Sequence, residues 1–202
     1  MATDGPTIAG PIEGNGDWLT DLDRVAARDH WGRALMVVGW VHLATFLVCQ
    51  VMHVAGDRVG VHFLLVWAVE LAAVLVAIRA VAGRGWTRST PLIGIFMRVW
   101  ATFLILSFNL AAMNTLSGVD YYWFKPALAS LSTFGLATMA YLTTPLFFIP
   151  AVQMYVTGLL MVWAPDDAYL IYGLSWWLAL QGIGLVLERR RRLADRKGLT
   201  DV

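Results

Sequence analysis

Residues 34–55 read ALMVVGWVHLATFLVCQVMHVA, a run without aspartate, glutamate, lysine or arginine. A helix of about 20 apolar residues spans the hydrocarbon core of a bilayer, so the run predicts a membrane-spanning helix. The same run carries His42, Cys49 and His53. At about 100° per residue, these three side chains fall on one stripe of the helix. We interpret the stripe as the face that looks into a helical bundle.

The composition of the whole chain agrees with a membrane protein. Of its 202 residues, 58% are hydrophobic and only 14% are charged. Soluble domains contain roughly 25% charged residues, so this balance is typical of the membrane class. The single cysteine, Cys49, excludes an internal disulfide, a CxxC redox pair and a cysteine-based zinc module.

The sequence divides into four regions by composition and periodicity. Residues 1–16 are predicted to form a flexible tail, and residues 17–33 a short amphipathic helix at the membrane surface. Residues 34–188 form a transmembrane domain, and residues 189–202 a basic cytoplasmic tail. Six apolar segments make up the transmembrane domain: about 34–55, 60–82, 91–115, 124–144, 147–164 and 168–188.

Two prolines separate the fourth and fifth segments, which no charged residue divides. Pro145 and Pro150 interrupt an apolar run that is too long for a single span. Proline is tolerated in the first turn of a helix, so Pro150 fits the start of segment five. The pattern favours a tight helical hairpin, and a re-entrant pair of half-spans is the alternative.

The distribution of lysine and arginine predicts the orientation of the spans. If six segments cross the membrane, twelve of these residues lie on one side, and only Arg58 and Lys125 lie on the other. Basic residues are enriched in cytoplasmic loops, so both termini are expected in the cytoplasm, with the chain in the cytoplasmic (inner) membrane. The polybasic run Arg189, Arg190, Arg191 and Arg192 is expected to contact anionic lipid head groups.

Ionisable residues inside the predicted spans form the first candidate site. Glu70 lies near the middle of span two, Arg98 in span three and His42 in span one. The depths of Glu70 and Arg98 differ by about 7 Å along the helix axis, which a long arginine side chain can cover. The three residues therefore predict a ligand or proton site. The alternatives are a neutralising pair that fixes helix register, and an Arg98 that extends to the membrane surface.

A second candidate site lies at the far ends of spans one and two. Cys49 and His53 share a helix face, Asp57 lies in the following loop and His62 opens span two. These are suitable ligand types for zinc or copper, so Cys49, His53 and His62 are candidate metal ligands. Their spacing matches no established metal motif, and ordinary polar residues of the core or interface are the favoured alternative.

The positions of the histidines bear on whether the chain could hold a haem. A haem held within a membrane bundle generally needs two histidines that face each other from different helices. All four histidines of this chain occur at or before His62. The sequence therefore favours a protein without a cofactor, with haem or a metal ion as the alternatives.

The sequence contains no P-loop, GxSxG, HExxH or glycine-rich dinucleotide motif, which argues against an enzyme. We predict an all-α fold: a polytopic membrane protein with a bundle of six transmembrane helices after a surface helix. The leading functional hypothesis is a non-catalytic membrane module, meaning a subunit or a sensory or anchoring domain. A small-solute or proton transporter centred on Glu70, Arg98 and His42 is the second, and a haem- or metal-binding redox protein is the third.

The expected partners follow from the same pattern. The bilayer itself, including its anionic lipids, is the first. A further membrane subunit or a second copy of the chain is the next, because the predicted loops are too small to hold another domain. Nucleic-acid binding is not supported, since the basic run is short and directly follows a span.

Overall fold

The computed structural model describes residues 30–57, 59–83, 91–117 and 121–196, and these residues contain helices and no strand. This confirms the predicted all-α class. Six α-helices follow one another along the chain: α1 (Trp31–Val54), α2 (Gly60–Ala82), α3 (Pro91–Ser117), α4 (Tyr121–Leu142), α5 (Phe148–Trp163) and α6 (Ala168–Arg196). Short 3₁₀ turns at Pro145–Phe147 and Pro165–Asp167 precede α5 and α6.

Five helical stretches are long and apolar enough to cross a membrane, which fits a multi-pass membrane protein. They are Trp31–Val54, Gly60–Ala82, Ile93–Leu116, Pro145–Trp163 and Pro165–Leu193. Helix α4 has 22 residues, which is sufficient length, but its composition is less apolar than that of the other five.

The ends of the chain differ from the sequence-based boundaries. The predicted tail 1–16 and most of the predicted surface helix 17–33 lie outside the described residues. Trp31–Arg33, assigned to that surface helix, instead form the first turn of α1. At the other end, α6 continues past residue 188 to Arg196, so the basic run is helical.

Helices α1 and α6 pack side by side and antiparallel, and we call their contact the seam. Glycines allow the two backbones to approach closely. A Cβ on Gly184 would lie 2.7 Å from the carbonyl oxygen of Gly32, and a Cβ on Gly173 would lie 2.6 Å from Cβ of Phe46. The seam is also joined by a hydrogen bond, because Gln181 Nε2 donates to the carbonyl oxygen of Met36 at 2.9 Å.

The connection between α4 and α5 follows from its prolines. Helix α4 ends at Leu142, and Thr144 Oγ1 accepts a hydrogen bond from the backbone N–H of Leu146 at the start of the 3₁₀ turn. Pro150 then lies in the first turn of α5, where its missing N–H removes no helical hydrogen bond. The two helices form an antiparallel pair, in which a Cβ on Gly158 would contact Cβ of Ala129 at 3.4 Å.

Helices α2 and α3 form the loose side of the bundle, and we call them the wall. In α2 the buried residues are Phe63 and Glu70, and nearly all other described side chains of both helices are exposed or only partly buried. The two helices approach each other at Gly60 and Thr115, where a Cβ on the glycine would lie 2.8 Å from Thr115 Oγ1. Elsewhere they make few contacts with each other. The wall is therefore a thin layer over the seam, and a space remains behind it.

Candidate functional site

A cavity of about 310 Å³ lies between the seam and the wall. Its lining comes mainly from α1, α2, α3 and α6, and it is almost wholly apolar. Large aromatic side chains provide much of the surface: Phe46, Trp67, Phe96, Trp100, Phe103 and Trp176. Pockets for small ligands are typically concave and apolar, with a few polar groups that fix orientation. The described residues that line this cavity make it concave and apolar in the same way.

The charged groups in the cavity lining are His42 of α1 and Glu70 of α2. Nδ1 of His42 contacts Oε1 of Glu70. The Glu70 side chain is only 10% exposed, and rings of Phe46 and Trp176 lie 4.7 Å and 5.5 Å from the imidazole centroid. A carboxyl group in such surroundings requires a partner, and the imidazole provides it. The structure thus brings together two of the three residues of the first predicted site.

The third residue of that predicted site, Arg98, lies elsewhere. Its side chain is exposed, whereas its neighbours Met97 and Ala101 line the cavity. In the described part of the chain, its guanidinium forms no ion pair with Glu70. The contact of Gly60 with Thr115 sets the register of α2 against α3, and it leaves Arg98 roughly 10 Å from the level of Glu70 along the helix axis.

Several polar atoms of cavity-lining residues are buried and have no hydrogen-bond partner among the described residues, among them Nε2 of His42 and Oγ of Ser107. Hydroxyls elsewhere in the bundle commonly donate to the carbonyl four residues earlier, as Thr102 does to Arg98 and Thr115 does to Ala111. Buried polar groups are nearly always paired, because leaving one unpaired costs about 1–3 kcal/mol. These two atoms are therefore candidate contacts for a molecule in the cavity.

The predicted metal site is not assembled in the structure. Cys49 is buried without a disulfide partner, and His62 Nδ1 lies 2.7 Å from Oδ2 of Asp57 in the adjoining loop. His53 instead packs inward, where its Nε2 accepts a hydrogen bond from Nζ of Lys125 at 3.3 Å. Within the described ranges, no three histidine, cysteine, aspartate or glutamate side chains are close enough to hold one metal ion. Cys49, His53 and His62 thus belong to three separate contacts.

Lys125 is a buried basic residue that the sequence placed at the start of the fourth segment, on the membrane side opposite to the termini. In the structure it lies in α4 and is 0% exposed. Its Nζ donates to the carbonyl oxygen of Pro165 at 3.1 Å and lies 4.6 Å from the ring centroid of Tyr169. The signal in the sequence was the apolar context YYWFKPALA, in which no other charge accompanies the lysine. The residue links α4 to the turn before α6.

The basic end of α6 surrounds a second buried carboxylate. Glu188 is 8% exposed, and its Oε1 lies 3.6 Å from Arg33 and 3.7 Å from Arg192. Arg191 contacts His30 at the start of α1. Of the four arginines predicted to contact lipid, Arg189 and Arg192 are exposed and Arg190 and Arg191 are partly buried.

Comparison of the chain with known proteins gave no match: no family model, no curated protein and no solved structure is similar to it.

Proposed function

We propose that this protein is a non-catalytic membrane module that binds a lipid-soluble small molecule in the cavity between the seam and the wall. The observation that carries the proposal is the cavity itself, with the His42–Glu70 pair in its lining. Its volume of about 310 Å³ falls at the lower end of the range for small-molecule sites, about 300–1,000 Å³. Its apolar lining favours an occupant that partitions into the membrane.

The thin wall supports entry of the ligand from the lipid. Helices α2 and α3 make few contacts with each other, so separating them disrupts little packing. Val69 and Val76 of α2 are 70% and 66% exposed, which suits a surface in contact with acyl chains. A ligand dissolved in the bilayer then reaches the cavity without crossing water.

The membrane setting of this proposal has six spans and cytoplasmic termini, in the cytoplasmic membrane. Helix α4 supplies the sixth span because it has 22 residues and pairs antiparallel with α5. The proximity of Arg33 to Glu188 places the start of α1 and the end of α6 at one end of the bundle. Twelve lysines and arginines fall on that side if all six helices cross, and the exposed arginines of α6 suit anionic lipid. Association with another subunit or a second copy, through the exposed apolar surface of the wall, remains part of the proposal.

The other two hypotheses have less support. A transporter that uses Glu70, Arg98 and His42 together requires an arginine in the cavity, and Arg98 is exposed. Haem requires two histidines that face each other. Instead, His30 contacts Arg191 and His42 contacts Glu70. His53 contacts Lys125, and His62 contacts Asp57. The residues present therefore do not fit a haem or a three-ligand metal site in the described part of the chain.

The test of ligand binding is a pair of valine substitutions on one helix. Val74 lines the cavity, and Val76 is exposed on the outside of the same helix. We expect Val74→Phe to narrow the cavity and weaken naphthalene binding, and Val76→Phe to leave binding intact. The measurement is specific uptake of radiolabelled naphthalene by the full chain in lipid nanodiscs, relative to empty nanodiscs.

Wild type and Val76→Phe should bind naphthalene at about one molecule per chain, and Val74→Phe should bind markedly less. Equal uptake in all three proteins would contradict binding in the cavity. So would a wild-type protein with no uptake above that of empty nanodiscs.

A further inference from the structure

We infer that the ligand of this cavity is an uncharged, ring-containing molecule with a hydrogen-bond acceptor oxygen, such as a quinone carbonyl, that accepts from Nε2 of His42. The inference rests on the proposed function and names its ligand class. Three features support it: the aromatic lining, the proton arrangement of the His42–Glu70 pair, and the unpartnered nitrogen of His42.

The shape of the lining favours a flat molecule. Trp67, Trp100 and Trp176 each present a ring to the cavity from a different helix. Trp100 and Trp176 lie edge to face, with their ring centroids 5.2 Å apart. Aromatic side chains interact favourably with other rings in stacked or edge-to-face arrangements, beyond the effect of burial alone. A planar ring system therefore fits this lining better than a flexible chain does.

The His42–Glu70 pair determines the hydrogen-bonding role of Nε2. A neutral pair in which Nδ1–H donates to a protonated carboxyl group is disfavoured, because the acidic O–H then lacks the imidazole nitrogen as its acceptor. The other two proton arrangements leave the pair without net charge and place the acidic hydrogen between Glu70 and Nδ1. In the first, a carboxylate faces an imidazolium, which carries hydrogen on both nitrogens. In the second, a protonated carboxyl group donates to Nδ1 of a neutral imidazole, whose hydrogen is then on Nε2. Nε2 is a donor in both arrangements.

The remaining arrangement is a carboxylate with a neutral imidazole, which leaves one net negative charge in an apolar lining. An uncompensated charge in such surroundings is costly. The basic residues of the wall helices, Arg79 in α2 and Arg98 in α3, are both exposed, and among the described residues neither forms an ion pair with Glu70. The pair is therefore neutral overall, and Nε2 presents a hydrogen to the cavity.

This donor needs an acceptor from outside the protein. Nε2 of His42 is buried and has no hydrogen-bond partner in the described residues. Ser107, across the cavity on α3, also has a buried hydroxyl without a hydrogen-bond partner in the described residues. The contact between Gly60 and Thr115 places Ser107 near the level of Glu70. A ligand oxygen at this level can accept from His42, and a second oxygen of the ring system can accept from Ser107.

The test compares 1,4-naphthoquinone with naphthalene, which has the same ring system without oxygen. Both are measured with the full chain in nanodiscs, and each affinity is corrected for partition of the probe into empty nanodiscs. We expect wild type to bind the quinone about tenfold more tightly than naphthalene, as one buried hydrogen bond provides. In the double variant His42→Phe/Glu70→Leu, the ratio of the two affinities should fall most of the way to one, with only the smaller contribution of Ser107 remaining. This variant removes both members of the pair, so no unpaired charge is left to unfold the bundle.

The matched control is His62→Phe/Asp57→Asn, which alters a similar histidine–carboxylate pair outside the cavity. It should keep the wild-type ratio. Ser107→Ala is a second variant that is expected to fold, and it should reduce the ratio by less than the His42 variant does.

The results separate this inference from the proposed function. Equal affinity of wild type for the two probes would overturn the acceptor-oxygen ligand, while naphthalene uptake would still support the cavity as a binding site. An unchanged ratio in the His42→Phe/Glu70→Leu variant, or complete loss of the ratio in Ser107→Ala alone, would overturn the assignment of His42 as the donor. Failure of both probes to bind wild type would contradict the proposed function as well.

Discussion

The seam and the wall are built from the same kinds of apolar residues but pack very differently. In the seam, Gly32 and Gly184 bring two backbones together, and Gln181 adds a hydrogen bond across the contact. In the wall, α2 buries little besides Phe63 and Glu70. In lipid, helices associate through close packing and hydrogen bonds, because apolar surface alone gives no preference for another helix. The seam has both interactions, and the wall has few of either. The difference indicates that the seam and the α4–α5 pair maintain the fold, while the wall encloses the cavity.

The largest expected effect comes from adding a side chain to the seam. Gly184→Leu should destabilise the bundle by about 3 kcal/mol or more, because its Cβ would lie within 2.7 Å of backbone oxygen at Gly32. Gly182→Leu is the matched control, since a Cβ at that position meets no atom within 4 Å. The measurement is the midpoint of thermal unfolding in detergent, monitored as the loss of monodisperse protein on heating. Similar midpoints for the two variants would show that the seam is not tightly packed.

An intermediate effect is expected from a hydrogen bond that joins α4 to the seam. The hydroxyl of Ser132 donates to the carbonyl oxygen of Leu128, so the hydroxyl of Tyr172 donates to Ser132 Oγ at 2.7 Å. Tyr172→Phe should therefore lower the free energy of unfolding by about 1 kcal/mol. The control is Tyr141→Phe, because Tyr141 is 81% exposed. A Tyr172→Phe protein as stable as this control would mean that the bond contributes nothing to the bundle.

The helical class could be predicted from sequence because it depends on local properties. Apolar runs of sufficient length and the positions of prolines indicate helices without knowledge of their neighbours. The contact of His42 with Glu70 was also accessible, since counting residues from a common end gives the depth of each side chain. The depth of a residue in the membrane does not show to which side of its helix the side chain points, however. By that count Arg98 has a suitable depth, but in the structure it lies roughly 10 Å from the level of Glu70 and on the exposed side of α3. Only the packing of α3 against its neighbours decides both.

The cavity and the Lys125 contacts could not be predicted in this way. A cavity reflects poor contact between α2 and α3, and no single residue encodes it. Lys125 contacts His53 and Pro165, which are 72 and 40 residues away in sequence. Such contacts depend on the order in which helices surround one another. The candidate metal site of Cys49, His53 and His62 stays a prediction, and the contact of His53 with Lys125 of α4 could not be inferred from the stripe that His53 shares with Cys49.

The smallest expected effect on stability is in the wall, where the substitution that narrows the cavity should hardly alter the fold. Val74→Phe adds a ring to a partly buried position that faces about 310 Å³ of space, so overpacking is not expected. Its free energy of unfolding should differ from wild type by less than about 1 kcal/mol, below the range typical of overpacked cores. The measurement is the unfolding midpoint of the ligand-free protein, beside that of Val76→Phe. If Val74→Phe destabilised the bundle as much as Gly184→Leu does, the wall would be as closely packed as the seam. In that case the reduced naphthalene uptake of this variant would reflect unfolding rather than a narrowed site.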